Sequence, residues 1–183
     1  SSDVCSSDLQ DYANVLSDAD KSGIRDLQQQ ARTQAQVPLV VVTVNRMDDY
    51  TRGDTIESFA RAWFNTWRIG TPQKNDGILV IISTGDRKGR IELGADWRRN
   101  WDAYARQAMD GEMVPRFKAG NYGAGLKAGV RKLLAMAVAG ASAYVPEPDL
   151  IDDFKRSSLG QLAVSTNPLA VEYGFWILPV MLL

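Results

Sequence analysis

The chain contains no histidine and a single cysteine. Without an imidazole there is no general base for a Ser-His-Asp or Cys-His nucleophile. Histidine phosphoryl transfer and histidine pH switches fall with it. Zinc sites draw on Cys and His and cannot be assembled here. One cysteine forms no internal disulfide, and usage this sparse is compatible with any compartment. An excess of charge of one sign is missing too: 21 Lys+Arg face 22 Asp+Glu, for a formal net charge of −1. No clustered basic field is available to hold nucleic acid, so nucleic-acid partners are not expected.

What remains is oxygen chemistry: Asp, Glu, Asn, Ser, Thr and backbone carbonyls, with Arg and Lys. A metal bound by such donors is a hard one, Ca²⁺ or Mg²⁺. The 183 residues, 45% hydrophobic and 23% charged, suit one globular domain with some chain to spare. Beginning at Ser1, the chain reads as a mature form or a fragment. SSDVCSSDL repeats Ser-Ser-Asp, lacks an apolar core and is no signal peptide. Residues 1–9, Cys5 included, therefore read as a non-native leader. At the other end GFWILPVMLL is apolar but shorter than the roughly 20 residues of a membrane span. It reads either as a terminal element packed on the domain or as the start of a truncated transmembrane helix; the second is the expectation.

Ser17 stands as an N-cap before a helix whose apolar face is Ile24, Leu27 and Ala31. Residues 38–44, PLVVVTV, form a short β-branched run, a buried strand. Asp54 and Glu57 resemble a capping box opening a second helix, with Ile56, Phe59, Ala60, Trp63, Phe64 and Trp67 on one face. That spacing favours core packing over a stacking platform. Gly70-Thr71-Pro72 ends the helix. GILVIIST (77–84) predicts a second buried strand, 85–89 a turn, and RIEL (90–93) its hairpin partner. Helices are expected over 96–109 and 122–139. The expected order is helix, strand, helix, strand, strand, helix, helix: an α/β sandwich with the strands in the middle. Past Tyr144 the chain turns Pro-, Asp- and Ser-rich. The boundaries are thus a domain over 10–144, a linker over 145–172 and a membrane segment over 173–183.

Ligands of α/β sheets sit at loops beyond the strands' carboxyl ends. Asn45, Asp48 and Asp49 follow the first strand; Asn75-Asp76-Gly77 precedes the second and Asp86-Arg87 follows it. Asp11 lies just before the first helix. No D-x-D-x-D-G pattern is present, and Asn75-Asp76-Gly77 is equally a plain turn. Asp48-Asp49 and Asp152-Asp153 are chain neighbours that point apart, which suits solvated loops better than an acid/base pair. Arg87, Lys88 and Arg90 make a basic turn able to hold phosphate, though a charged hairpin tip explains them as well. No P-loop is present, and Gly120 to Gly125 follows no strand, so it is no dinucleotide fingerprint.

Four segments in order resemble one family. Asp-Tyr-Ala-Asn-Val-Leu-Ser (11–17) resembles a D-x-A-x-V-L-S opening, and Asn75-Asp76-Gly77-Ile-Leu-Val an N-D-G strand. Asp86-Arg87-Lys88 through Arg90-Ile91-Glu92-Leu93-Gly94 resembles a D-R-K…R-I-E-x-G hairpin. Pro115-Arg116-Phe117-Lys118-x-Gly120-x-Tyr122 resembles P-x-F-K-x-G-D-Y, with Asn121 where Asp is usual. In order and spacing these are similar to the TPM domain, over about residues 11–140.

The resemblance implies a three-layer α/β/α sandwich with a central mixed sheet. It implies a domain held outside the cytoplasm, periplasmic or lumenal, and anchored to a membrane. It also implies links to photosystem II repair, acid phosphatase activity and Ca²⁺ binding by loop aspartates. By resemblance Asp11, Asn75, Asp76 and Asp86 are the expected metal or phosphate ligands, for Ca²⁺ or Mg²⁺. Two functions follow as expectations. The first is a membrane-tethered accessory domain that binds a cation and a membrane-protein partner, favoured because no nucleophile or general base emerges. The second is a divalent-metal-assisted phosphatase acting on phosphate monoesters.

Overall fold

Two β-branched runs build the centre of the molecule. The computed structural model describes residues 8–71 and 73–143; the expected linker and membrane segment, and residues 1–7 of the expected leader, lie outside them. In it β2 (Leu39–Val44) and β3 (Ile78–Ser83) are buried at every position, as strands covered on both faces must be. They pair in parallel, from Leu39 opposite Ile78 to Val44 opposite Ser83. β4 (Lys88–Leu93) returns antiparallel to β3, and β1 (Leu9–Asp11) adds parallel to the free edge of β2. The sheet order is β1-β2-β3-β4, a mixed sheet of four strands.

Helices cover both faces. Val40, Val42, Val44, Leu79 and Ile81 point one way, into a cluster with Phe59, Ala60 and Phe64 of α2 (Ile56–Thr66). Alternation sends Val41, Thr43, Val80 and Ile82 to the other face. There α1 (Asp18–Gln30) and α5 (Tyr122–Ala139) pack together. The result is the expected α/β/α sandwich, and the described residues belong to one compact unit, Ser1–Tyr144. Burying each of these Val, Ile or Phe side chains contributes roughly 1.5–3 kcal/mol.

Local sequence explains the helix ends. Ser17 caps α1: its hydroxyl accepts from the Asp20 N–H at 3.1 Å, and Asp20 accepts from the Ser17 N–H at 3.2 Å. At α2 the cap is Thr55, one residue after the expected Asp54; its hydroxyl accepts from the Ser58 N–H at 3.2 Å. α3 (Asn100–Gln107) starts later than the expected 96. It runs through a widened π turn (Ala108–Met113) into α4 (Val114–Lys118). Pro115 lacks the N–H an uninterrupted helix would use, and the widened turn before it absorbs the break.

One difference bears on the site. The expected order opened with a helix, but the sheet opens with β1 at Leu9, inside the stretch read as a leader. Leu9 is buried opposite Val41, so the strand feeding Asp11 is in place.

Candidate functional site

The expected site residues divide between the two ends of the sheet. Asp11 ends β1 and Asp86 follows β3, both at the carboxyl edge; Asn75 and Asp76 precede β3 at the amino edge. The five steps of about 3.3 Å between the six residues of β3 set those edges roughly 17 Å apart. A hard cation holds its oxygens at about 2.3–2.6 Å. No single ion reaches both ends.

At the carboxyl edge Asp11 is fully occupied. Its Oδ1 accepts from the Val15 N–H at 3.1 Å and from the Thr43 hydroxyl at 2.6 Å. Its Oδ2 accepts from the Leu16 N–H at 3.1 Å and faces Lys21 Nζ at 3.3 Å. Burial on its own would raise this carboxyl; the bonds from Thr43, Val15, Leu16 and Lys21 outweigh it and hold the pKa below the ordinary value. Asp11 thereby staples the turn entering α1 to strand β2.

Asp86 works similarly across the next connection. Its Oδ2 accepts from the Met47 N–H at 2.8 Å and the Ser83 hydroxyl at 2.7 Å. These two bonds, in that order, lower its pKa against a smaller desolvation effect. Both fall on Oδ2, which leaves Oδ1 without a hydrogen-bond partner among the described residues. Asp48 and Asp49 lie exposed in the loop after β2.

At the amino edge Asp76 is buried, and its Oδ1 accepts from the Thr71 N–H at 3.1 Å. Its carbonyl accepts from the Trp97 indole N–H at 2.9 Å. Asn75 donates its N–H to Asp96 Oδ2 at 3.1 Å and accepts the Asp96 N–H at 3.0 Å. Two glycines let this loop press onto the hairpin base. A Cβ on Gly77 would lie 2.4 Å from the Ile69 carbonyl oxygen, and one on Gly94 2.1 Å from that of Asn75. The N-D-G and R-I-E-x-G residues therefore share one packing job.

Among the described residues no group of three or more His, Cys, Asp or Glu side chains is placed to hold a metal ion. The donor chemistry suits a hard cation, but the donor number does not close a Ca²⁺ shell. Asp86 Oδ1 is the one oxygen of the Asp11 and Asp86 carboxylates left for such an ion, which carbonyls and water would have to complete.

Two features escaped the sequence reading. One is a set of touching rings. Tyr12 and Tyr50 are 52% and 46% exposed, with ring centroids 6.3 Å apart. Trp63 lies 6.2 Å from Tyr12, 5.4 Å from Tyr50 and 4.8 Å from Trp67. The helical stripe of α2 is core at Phe59, Ala60 and Phe64, while Trp63 and Trp67 are only partly buried against it. Partial burial, then Tyr12 and Asp49, hold the Tyr50 phenol above its ordinary pKa, so its hydroxyl stays a donor. Tyr12 within the D-x-A-x-V-L-S segment and Tyr50 after the Asp48-Asp49 pair were the available signal. The second is a cleft of about 440 Å³ beside the carboxyl end of α2, lined in part by Arg68, Lys74 and Asn75.

The TPM phosphatase family model, described as the TPM domain, matches residues 9–136, more than half of the chain. No curated protein matches the chain. Among solved structures, the N-terminal domain of a protein from P. gingivalis is similar at a TM-score of 0.62 and 23% identity. It aligns over 76% of this chain and 87% of its own. The N-terminal domain of a Corynebacterium glutamicum protein is similar at 0.58 and 14% identity, over 80% and 91%. The BA42 protein of Bizionia argentinensis is similar at 0.56 and 18%, over 72% and 92%. At these identities the neighbours speak for the fold alone. The family match, the mixed four-stranded sheet and the loop-pinning N-D-G and R-I-E-x-G residues agree: the chain belongs to the TPM domain family.

Proposed function

We propose that this TPM domain is a binding module, held outside the cytoplasm on a membrane, that docks a membrane-protein partner through the rings of Tyr12, Tyr50, Trp63 and Trp67. The observation that carries this reading is the exposure of two tyrosines that touch Trp63, at 52% and 46%. Large aromatics left in water are costly, and Tyr and Trp are the residues that anchor protein interfaces. The carboxylates that a catalyst would use support it as well, because Asp11, Asp76 and Asp86 are bonded to the chain's own amides and hydroxyls. The membrane tether rests on the C-terminal segment outside the described residues. Among the described ones no helix is long and apolar enough to cross a membrane.

A photo-crosslinking residue in place of Tyr50, in the full chain in its own membranes, tests the docking. The expected result is one discrete cross-linked membrane protein, competed away by excess unlabelled chain and lost in a Tyr12→Ser/Trp63→Ala double variant. Diffuse cross-links indifferent to competitor would end the proposal.

The cation belongs to this reading as a weak site at the carboxyl edge, with Asp86 as its side-chain ligand. Millimolar Ca²⁺ should raise the thermal midpoint by mass action on the native state, and Asp86→Asn should abolish the rise. An unchanged midpoint removes the cation. The phosphatase reading, which rests on family resemblance, is tested by hydrolysis of an aromatic phosphate ester by the full chain. Turnover that slows on Asp76→Asn and stops with EDTA would replace binding by catalysis. Turnover unaffected by both would mark a contaminant.

A further inference from the structure

The cleft beside α2 combines a strained cation with a loop bonded at Thr71, Asn75 and Asp76. α2 ends in a Schellman turn: the Arg68 N–H donates to the Asn65 carbonyl at 3.2 Å and the Ile69 N–H to that of Phe64 at 3.1 Å. The residue at its left-handed position is Arg68, at φ 50°, where glycine is the unstrained choice. Attraction to the helix dipole does not explain an arginine there. A cation in the last turn of α2 would collect the same attraction without the strain, and that turn carries none. Among the described residues, neither Arg68 nor Lys74 on the facing loop is within salt-bridge distance of a carboxylate.

The loop opposite Arg68 is fixed from behind by bonds already described. Thr71 is bonded to Asp76, Asp76 to Trp97, and Asn75 twice to Asp96, with Gly77 and Gly94 allowing the close approach. Its outward side presents Gln73 and Lys74, both exposed, and α2 presents Asn65 beside Arg68. Phe64 and Ile69 line the same cleft and are buried but for a thin edge. A loop anchored at Thr71, Asn75 and Asp76 that offers an amide and a cation to water can receive a polar ligand at a lower ordering cost.

The charges define which ligand. Arg68 and Lys74 line the cleft, while Asp76 lines a neighbouring hollow and Asp96 accepts from the Asn75 N–H. Two cations set against Asp76 and the carbonyl end of α2 leave a small positive balance, which suits one anionic group and not two. We propose that the cleft binds a small hydroxylated monocarboxylate of the sugar-acid class. Arg68 takes the carboxylate through its planar fork and Lys74 adds a point charge. Asn65, Gln73 and Thr71 meet the hydroxyls, and the Phe64–Ile69 edge meets the C–H face of the sugar. This site is separate from the docking rings and does not depend on them.

Titration of the ¹⁵N-labelled full chain with sodium glucuronate tests this. Saturable shifts are expected at the amides of Arg68, Thr71, Gln73 and Lys74, with glucose and acetate each binding at least about tenfold more weakly for want of one half of the recognition. Arg68→Gly should weaken glucuronate by about tenfold or more, and Arg68→Lys by less, because the charge remains while the fork is lost. Since Arg68→Gly also relieves backbone strain, its thermal midpoint should rise, which separates loss of ligand from loss of fold. Shifts that never saturate would overturn the proposal, as would an Arg68→Gly variant that binds like the parent. Glucose 6-phosphate binding as tightly as glucuronate would overturn the monoanion assignment.

Discussion

The two ends of the parallel strands use the same residue type for the same purpose and then leave different groups in water. At the carboxyl edge Asp11 and Asp86 gather backbone N–H groups and hydroxyls, and what faces solvent nearby is tyrosine. At the amino edge Asp76 gathers a backbone N–H, and what faces solvent is Arg68 and Lys74. In both places Asp11, Asp76 and Asp86 hold loops through bonds within the chain, while Tyr12, Tyr50, Arg68 and Lys74 stay exposed. The proposed binding groups are those that hydrogen bonding within the chain has not consumed.

The comparison breaks most severely at Asp11. Its side chain is 4% exposed and is the shared acceptor for two backbone amides and the Thr43 hydroxyl. Asp11→Ala strands those donors and leaves Lys21 unpaired, and should lower the unfolding free energy by roughly 3 kcal/mol in urea melts. A loss under about 1 kcal/mol, the size of an exposed pair, would mean that the carboxylate is dispensable and free for a ligand.

Next in size is the amino edge. Gly94→Ala puts a methyl 2.1 Å from the Asn75 carbonyl oxygen, a backbone atom that can yield only by moving the loop. Overpacking of this kind costs about 1–3 kcal/mol, and the upper end is expected. The same substitution should also loosen the cleft and weaken glucuronate. Destabilisation with unaltered binding would uncouple the loop from the site.

A smaller effect separates the two edges by pH. Asp11 has its pKa depressed in the folded state, so its contribution is complete above the ordinary carboxylate value and disappears as pH falls through the lower folded value. The stability gap between the parent and Asp11→Asn should therefore hold constant near neutrality and narrow only on the acid side of about pH 4. Thermal midpoints from pH 7 to 3 measure it. A gap that instead narrowed toward alkaline pH would assign the wrong sign to the carboxylate.

Which of these features were legible follows from how much sequence each occupies. The β-branched runs of β2 and β3 signalled buried strands because full burial demands apolar residues at successive positions. α5 matched its expected 122–139 because eighteen residues repeat the helical period. β1 has three residues, too short for any period, and follows a leader-like stretch, so its place in the sheet was invisible. Pro115 read as a break because sequence does not reveal a widened turn. At the site, Asp11, Asp76 and Asp86 stood out by type, but their roles depend on which amide lies at 3 Å, which only the fold decides. Arg68 and Tyr50 gave no periodic signal, because one matters for the carboxylate it lacks and the other for ring contacts made across loops.

The smallest effect sharpens the argument about the amino edge. Arg68 and Gln36 both end helical segments in the left-handed region, at φ 50° and 58°. The Gln36 N–H caps the π turn that extends α1, through the Ala31 and Arg32 carbonyls, and the side chain reaches the hollow beside Asp76. A non-glycine residue in this conformation is strained, and glycine relieves the strain while gaining entropy in the unfolded chain, for a net gain of about 0.5–1 kcal/mol. Both Arg68→Gly and Gln36→Gly should therefore raise stability in denaturant melts. If only Gln36→Gly does so, the guanidinium of Arg68 stabilises the fold, and its strained position reflects folding. If both do, the fold tolerates strain at two points that line neighbouring hollows, and the reason for keeping Arg68 there lies outside the fold, in what the cleft receives.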